Sequence, residues 1–168
     1  YLSAAGYLNQ QARSMAKELA NDRGHKQLRL LVKPTFANII LWRSVYEFNG
    51  RYYIDALRPW PNRKFFDGTS IASLIPTRDF PWLRPGSRQA RDVERFSELS
   101  DGYVAKAADG SPRVIDVRYS IIPTDVTPLW FIRLIPDSRH GRRAIYGTER
   151  SNARKNLSAL MHMIFEEP

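Results

Sequence analysis

The 168-residue sequence contains no cysteine and only three histidines. Without cysteine there can be no disulfide bond, no thiolate zinc site and no cysteine nucleophile. His25, His140 and His162 fall in three different predicted elements, and none has a partner at a spacing that presents two metal ligands on one helical face. The sequence therefore predicts no metal site built from this chain alone. His25 and His140 are interpreted as isolated surface residues, and His162 as an edge residue of the last helix.

Recognisable catalytic motifs are also missing. There is no G-x-S-x-G sequence that would place a serine nucleophile on a strand-to-helix turn. The nine glycines are scattered singly, which excludes a glycine-rich phosphate loop. Asp55 and Asp116 both lie in predicted strands and could act together as a pair of catalytic carboxylates. Each has an arginine close by in sequence, Arg58 and Arg118, so we interpret both pairs as structural ion pairs.

Long hydrophobic runs are absent as well. No stretch approaches the roughly 20 apolar residues needed to cross a bilayer, and the N-terminus lacks the pattern of a signal peptide. The first methionine is Met15, so we expect the chain to be a processed product or a piece of a longer protein. If that protein is embedded in a membrane, its spanning part lies outside these residues.

The composition indicates a folded, strongly basic chain. Hydrophobic residues make up 43% and aromatic residues 12%, which excludes a disordered protein, and the length fits one domain. With 26 Lys and Arg against 17 Asp and Glu, the formal net charge is +9. Nucleic acid, an anionic lipid surface or an acidic substrate would suit this charge, although solubility alone could also explain it.

Three helices are predicted from apolar spacing. The first covers residues 1 to about 23 and ends at Gly24, where a left-handed cap is expected. Ser87 is a predicted N-cap for a middle helix, and Thr148 for the last one. The apolar faces of these helices are formed by Leu8, Ala12, Met15 and Leu19, by Val93, Phe96 and Leu99, and by Leu157, Leu160, Met161 and Ile164.

Strands are predicted on either side of the middle helix. Leu28, Leu30 and Val32 alternate as in a half-buried strand, and Asn49-Gly50 is a strong signal for a hairpin between two further strands. A second hairpin is predicted around Asp109-Gly110, with strands at residues 103–107 and 113–121. Residues 129–135 form another predicted strand, apolar on both faces except for Arg133 and therefore central or covered. Residues 58–88 show no sustained period and are predicted as a long loop.

Together these elements predict an α+β fold. Strands joined by tight turns pair antiparallel, and each amphipathic helix must bury its apolar face. We therefore expect one antiparallel sheet of about five or six strands, with the N-terminal, middle and C-terminal helices packed on it. Residues 1–24 are the leading helix and residues 25–168 a single domain.

The segment from Arg58 to Arg88 mixes basic and aromatic side chains. Tryptophan beside cationic groups suits a bilayer interface, where arginine meets lipid phosphates. The same mixture could stack on and neutralise single-stranded nucleic acid, or the rings could simply cover the sheet. The candidates for contact with a membrane surface are Trp60, Arg63, Lys64, Phe65, Phe66, Trp82 and Arg84, with further basic and aromatic residues at Arg58, Arg78 and Phe80.

Three stretches carry a resemblance: "KPTFANIILWRSVYEFNGRYYI", "VERFSELSDGYV" and "VIDVRYSI". Their order is similar to that in the C-terminal soluble region of the bacterial membrane-bound metal-dependent hydrolase family, over about residues 28 to 135. The family pattern is a Pro-(x)3-Asn-(x)3-Trp-Arg strand, an aromatic-Ser helix and an Asp-x-Arg-Tyr strand. The matching residues are Pro34, Asn38, Trp42 and Arg43, then Phe96 and Ser97, then Asp116, Arg118 and Tyr119.

The resemblance implies an accessory domain without a complete active site, inactive alone. The parent protein would carry a divalent metal, such as zinc, on transmembrane helices that are missing here, and phosphoester hydrolysis is the activity suggested. Residues 1–24 change from small and apolar to polar and basic, as expected of a helix that continues a transmembrane segment. The Lys and Arg that follow soon after favour the cytoplasmic side of the bacterial inner membrane. Asn38, Trp42, Arg43, Asp116, Arg118 and Tyr119 are expected to form one polar and aromatic network across neighbouring strands, more structural than functional.

Two alternatives stay open. One is a nucleic-acid-binding module that uses the basic and aromatic segment. The other is an independent hydrolase that uses Asp55 and Asp116.

Overall fold

The computed structural model describes residues 2–27, 29–35, 38–136, 141–149 and 153–165. They form four helices and eight strands in the order helix, four strands, two helices, four strands, helix. The elements are α1 (Leu2–Asp22), β1 (Arg29–Pro34), β2 (Trp42–Phe48), β3 (Arg51–Arg58), β4 (Lys64–Ala72), α2 (Pro76–Asp79), α3 (Arg88–Leu99), β5 (Val104–Lys106), β6 (Arg113–Asp116), β7 (Trp130–Arg133), β8 (Ile145–Thr148) and α4 (Ala153–Phe165). His140 lies outside the described residues.

The strands form two four-stranded antiparallel sheets, with the orders β1-β2-β3-β4 and β5-β6-β7-β8. The α+β class is confirmed, but the expected single sheet of five or six strands is wrong. Tight turns fix which strands pair within each hairpin, whereas nothing in a hairpin pattern says whether two hairpins share a sheet. The chain divides into two compact units. The first contains Tyr1–Ser70, Ser120–Thr127 and Ser151–Pro168, and the second contains Ile71–Tyr119 and Pro128–Arg150.

In the first unit, helices pack on both faces of the β1–β4 sheet. Adjacent strand residues point to opposite faces, so Leu57 and its pairing partner Trp42 face one side while Ala56 faces the other. The α1 residues Ala12, Met15 and Ala16 are buried against Trp42 and Leu57. Leu160 and Ile164 of α4 are buried with Ala56 and Leu41 on the opposite face.

Two turns of the first unit follow the sequence prediction. Asn49 and Gly50 both adopt positive φ, 48° and 69°, and connect β2 to β3. Gly24 also has a positive φ, 70°, at the end of α1, where the His25 N–H donates to the Ala20 carbonyl at 2.8 Å. The predicted hairpin and the predicted helix cap are both confirmed.

In the second unit, α3 packs on the β5–β8 sheet. The Ser87 side chain accepts a hydrogen bond from the Ala90 N–H at 3.1 Å, which confirms the predicted N-cap. Val93 and Phe96 are buried in the core, but Leu99 is 66% exposed, so its predicted place in the apolar face is wrong. The strand predicted at residues 129–135 is confirmed as β7, which lies between β6 and β8.

Three further expectations are corrected. The predicted loop at residues 58–88 contains β4 and α2. Thr148 ends β8 rather than capping the last helix, which starts at Ala153. Within α4, Leu160 and Ile164 are buried as expected, whereas Leu157 and Met161 are exposed. No described helix is both long enough and apolar enough to cross a membrane.

Candidate functional site

A network of buried polar side chains lies where α1 ends against β2 and β3. The Asp55 side chain is only 2% exposed. Its two carboxylate oxygens accept from Arg23 Nη1 at 2.7 Å and Nη2 at 2.8 Å, and Oδ1 also accepts from the Gly68 N–H at 3.1 Å. This two-pronged geometry is the strongest form of an arginine–carboxylate contact. Asp55 therefore joins the end of α1, β3 and β4.

Arg23 carries this network further. It donates to Tyr46 Oη at 3.3 Å and to the exposed Asp67 carboxylate at 3.0 Å. The hydrogen bond to Asp55 is the main reason that the pKa of Arg23 is raised, although burial opposes it. Burial raises the pKa of Tyr46, and the nearby Arg23 guanidinium partly offsets that rise. The guanidinium is therefore charged and the phenol neutral at physiological pH.

His25 completes the network. Its Nδ1 lies 2.8 Å from Tyr46 Oη, and its ring stacks on Phe48 with centroids 4.4 Å apart and planes 15° apart. Tyr46 in turn stacks on Tyr53, its partner across the hairpin, at 5.1 Å. The imidazole is thus held between aromatic rings and hydrogen-bonded to a phenol, which is an arrangement that can move a proton.

Sequence reasoning missed this cluster. His25 was interpreted as an isolated surface residue and Asp55 as the partner of Arg58, and both interpretations are wrong. Residues 55 and 58 are three apart, so on a strand their side chains point to opposite faces. Arg58 is buried and instead donates to the carbonyls of Met163 and Ile164 at the end of α4, at 3.3 and 3.2 Å.

The residues of the Pro-(x)3-Asn-(x)3-Trp-Arg motif stabilise a turn and the strand that follows it. Asn38 Oδ1 accepts from the N–H groups of Ile40 and Leu41 at 3.0 and 2.8 Å, which fixes the turn before β2. Trp42 Nε1 donates to the Ile39 carbonyl at 2.9 Å. The next side chain, Arg43, is 4% exposed. Its Nη1 donates to the carbonyls of residues 123 and 125 at 2.6 and 2.8 Å.

The Asp-x-Arg-Tyr motif forms a compact ion pair in the second unit. Strand β6 ends at Asp116, and the Arg118 N–H and guanidinium both fold back onto its carboxylate at 2.8 to 3.1 Å. Arg118 also donates to Asp101 and, at 2.8 Å, to the Leu99 carbonyl. Its guanidinium lies 5.3 Å from the centre of the Tyr119 ring. The contact between Asp116 and Arg118 agrees with the structural ion pair expected there.

The two motifs do not lie on neighbouring strands as expected. Strand β2 pairs with β1 and β3, whereas β6 pairs with β5 and β7 in the other sheet. Trp42 and Arg43 donate to separate backbone carbonyls, whereas Asp116 and Arg118 bond to each other. A single network joining the two sets stays a prediction.

The membrane-surface candidates differ in exposure. Trp60 is 60% exposed and Trp82 is 37% exposed, so both rings reach solvent. Phe65 and Phe66 are half-buried, with Arg63 and Lys64 5.2 Å from the centres of their respective rings.

The basic residues of the same segment have different surroundings. Arg63 also forms an ion pair with Glu18 of α1, and Arg84 is exposed. Phe80 is buried in the second unit, and Arg78 pairs with Asp79. Because Arg58 and Phe80 are buried, neither can touch a membrane as the sequence suggested.

A metal does not fit the residues that the structure describes. Within those ranges, no three His, Asp or Glu side chains come together as potential ligands. His25 is engaged by aromatic neighbours, and the two strand carboxylates Asp55 and Asp116 are each bonded to an arginine. No chemical step is therefore assigned to a metal held by this chain.

An open groove of about 550 Å³ lies in the second unit beside the end of α3. Its lining includes Leu99, Asp116, Arg118, Trp130, Tyr146 and Thr148. Trp130 and Tyr146 are 45% and 52% exposed, so the groove presents two aromatic rings to solvent.

No protein-family model, curated protein or solved structure matches this sequence.

Proposed function

We propose that this chain is an accessory domain of a membrane-bound metal-dependent hydrolase, outside the bilayer and without a complete active site of its own. The observation that supports this proposal is that the motif residues make contacts within the fold. Asn38 accepts the hydrogen bonds that fix a turn, and the buried Arg43 donates to backbone carbonyls. The Asp116 carboxylate accepts hydrogen bonds from Arg118. Side chains committed in this way hold a fold and leave little to bind a substrate. This supports a scaffold role for the motifs that carry the family resemblance.

Catalysis then belongs to the membrane region of the parent protein. A divalent metal held there, with zinc as one candidate, would supply the Lewis acid for hydrolysis, and a phosphoester is the substrate class that the resemblance suggests. Residues 1–24 would continue the last transmembrane helix. The Lys and Arg residues that follow soon after this leading helix support a place on the cytoplasmic side of the bacterial inner membrane.

Contact with anionic lipid is the second element of the proposal. Trp60 and Trp82 are exposed, and Arg63, Lys64 and Arg84 accompany them in the sequence. Each basic residue near an anionic surface contributes about 1 kcal/mol. Such a contribution is small alone but useful to a domain already tethered by its own chain.

The activity test compares the parent membrane protein with this chain alone. Bis(p-nitrophenyl) phosphate is offered to both in the presence of zinc or manganese. We expect hydrolysis by the parent and none by the chain. Hydrolysis by the chain alone that is lost in His25→Ala would contradict the proposal and place an active site in the network around Asp55.

The lipid test uses vesicles with and without anionic lipid, beside a single-stranded oligonucleotide of matched charge. Binding should require anionic lipid and should weaken about tenfold or more in the double variant Trp60→Ala with Trp82→Ala, since interfacial tryptophans anchor such contacts. Trp130→Ala, an exposed tryptophan elsewhere in the chain, is the matched control. Oligonucleotide binding without vesicle binding would favour the alternative, a nucleic-acid-binding module.

A further inference from the structure

Strand β8 is the last strand in the order of the second sheet. It pairs with β7 through four residues, and no described residue bonds to its other side. The opposite edge is different, because the Leu74 N–H donates to the Val104 carbonyl at 2.9 Å and residues 73 and 105 form a bridge. An edge strand with free N–H and C=O groups is a template for pairing with another extended chain. As far as the described ranges go, β8 is therefore the edge available for a further strand.

The groove described above borders this edge. Tyr146 pairs with the buried Ile132, and its ring meets Phe96 of α3 at 6.3 Å in an edge-on contact. Trp130 pairs with Thr148 and therefore lies on the same face of the sheet. An added strand would place alternate side chains in this groove, against Tyr146, Trp130 and Leu99.

Positive charge surrounds the edge. Arg142 and Arg143 precede β8 and are separated from it by Ala144, and Arg133 on β7 pairs with Ile145. All three are exposed, and none forms an ion pair with a described residue. The nearest acidic residue after the strand, Glu149, is 3.4 Å from Arg113 and so has its own partner.

We propose that β8 and the adjoining groove bind an extended peptide segment in which acidic and apolar residues alternate, added as a fifth strand of the second sheet. The free backbone edge supplies the main-chain pairing, the groove takes the apolar side chains, and the three arginines take the carboxylates. A second copy of this chain fits less well, because edge-to-edge pairing would bring two sets of these arginines together. Single-stranded nucleic acid could stack on the rings but would leave the strand edge unpaired.

The test uses a synthetic peptide of about eight residues, long enough to cover β8 at about 3.3 Å per residue. The peptide alternates Glu and Val, carries blocked ends and a dye, and is titrated with the whole chain while fluorescence anisotropy is followed. One control peptide replaces every Glu by Lys. A second keeps the sequence but carries an N-methyl group on every residue, which removes the backbone donors along both of its edges.

We expect the Glu-Val peptide to bind, and both control peptides to bind at least about tenfold more weakly, since strand addition needs both the carboxylates and the backbone donors. Hydrogen exchange of the amides at residues 145–148 should slow when the peptide is bound. The triple variant Arg133→Glu, Arg142→Glu and Arg143→Glu should lose at least about tenfold in affinity. Lys17→Glu, a charge reversal on the exposed side of α1, should bind as the wild type does.

Several results would overturn the proposal. One is that the N-methylated peptide binds as tightly as the unmodified Glu-Val peptide. Another is that Lys17→Glu loses as much affinity as the triple arginine variant. A third is that no peptide binds. Displacement by an oligonucleotide that binds the same arginines more tightly would assign the surface to nucleic acid. A dimer of the free chain that protects the β8 amides would assign it to a second copy. If the triple variant does not fold, Tyr146→Ala, which removes part of the groove wall without changing charge, tests the apolar contacts of the peptide instead, and unchanged affinity in that variant would contradict the proposal.

Discussion

Replacing Asp55 by alanine tests the network at the end of α1. The carboxylate is almost fully buried and is the two-pronged acceptor of Arg23. The substitution leaves a half-buried guanidinium without its main partner and removes the acceptor of the Gly68 N–H. Asp67 provides a matched control, because it contacts the same guanidinium at 3.0 Å while its side chain is 85% exposed.

The expected loss of stability follows from burial. Removing one partner of a buried ion pair costs about 3–5 kcal/mol. Because the Arg23 side chain keeps 27% exposure, water can solvate part of its charge, and the lower end of that range applies. The orphaned Gly68 N–H adds about 1 kcal/mol, so we expect Asp55→Ala to lower the free energy of unfolding by about 4 kcal/mol. Asp67→Ala should cost below about 1 kcal/mol.

Urea unfolding followed by circular dichroism measures both changes. With a slope of about 2 kcal/mol per molar urea, the midpoint should fall by about 2 M in Asp55→Ala and by less than about 0.5 M in Asp67→Ala. Hydrogen exchange of the β2 and β3 amides should accelerate only in the first variant. Equal costs for the two substitutions, or a cost of Asp55→Ala below about 1 kcal/mol, would refute the account of this network.

Two other predictions concern single side chains. Hydrogen bonds from Ser111 and the nearby Arg113 lower the pKa of Asp109 to about 2, below its unfolded value of about 3.9. The stability that this carboxylate contributes is therefore present above about pH 4 and lost as the pH falls toward 2, so urea midpoints of Asp109→Asn and wild type should differ at pH 6 and converge near pH 2. Arg58→Met should destabilise the chain by about 2–3 kcal/mol, because the carbonyls at the end of α4 lose a charged donor. Arg58→Lys should restore little of that loss in the same assay, and full restoration would show that charge alone matters there.

Local rules predicted much of the first unit from the sequence. The Asn49-Gly50 turn fixes the register of β2 and β3, and with it the pairing of Tyr46 with Tyr53. Strand β4 was missed because its sequence lacks a clean alternation and contains Gly68, which ordinarily counts against a strand. The structure explains the glycine: a Cβ at position 68 would lie 2.0 Å from the Ile54 carbonyl oxygen. The close approach of two backbones, which no sequence pattern reports, therefore requires glycine there.

The candidate site was harder to predict than the fold. Hairpin register alone places Ser44 opposite Asp55, so a buried carboxylate on that face was within reach of sequence reasoning. Its partner was not, because Arg23 is 32 residues away and comes into place only through the cap that ends α1. His25 was missed for the same reason. Proximity in sequence favoured Arg58 as the partner of Asp55. The alternation of side chains along a strand argues against that pair, because residues three apart point to opposite faces.

The network also bears on how a membrane segment would act on this chain. If α1 continues a transmembrane helix, as we propose, its apolar face is already buried against Trp42 and Leu57. Arg23 ties the end of the same helix to Asp55, and Glu18 pairs with Arg63 just before β4. Moving α1 would break these ion pairs and expose the apolar face together, so α1 and the first sheet should move as one body. A shift or rotation of the membrane helix would then be passed to the whole β1–β4 sheet, which is the behaviour expected of an accessory domain that reports on, or restrains, the membrane part.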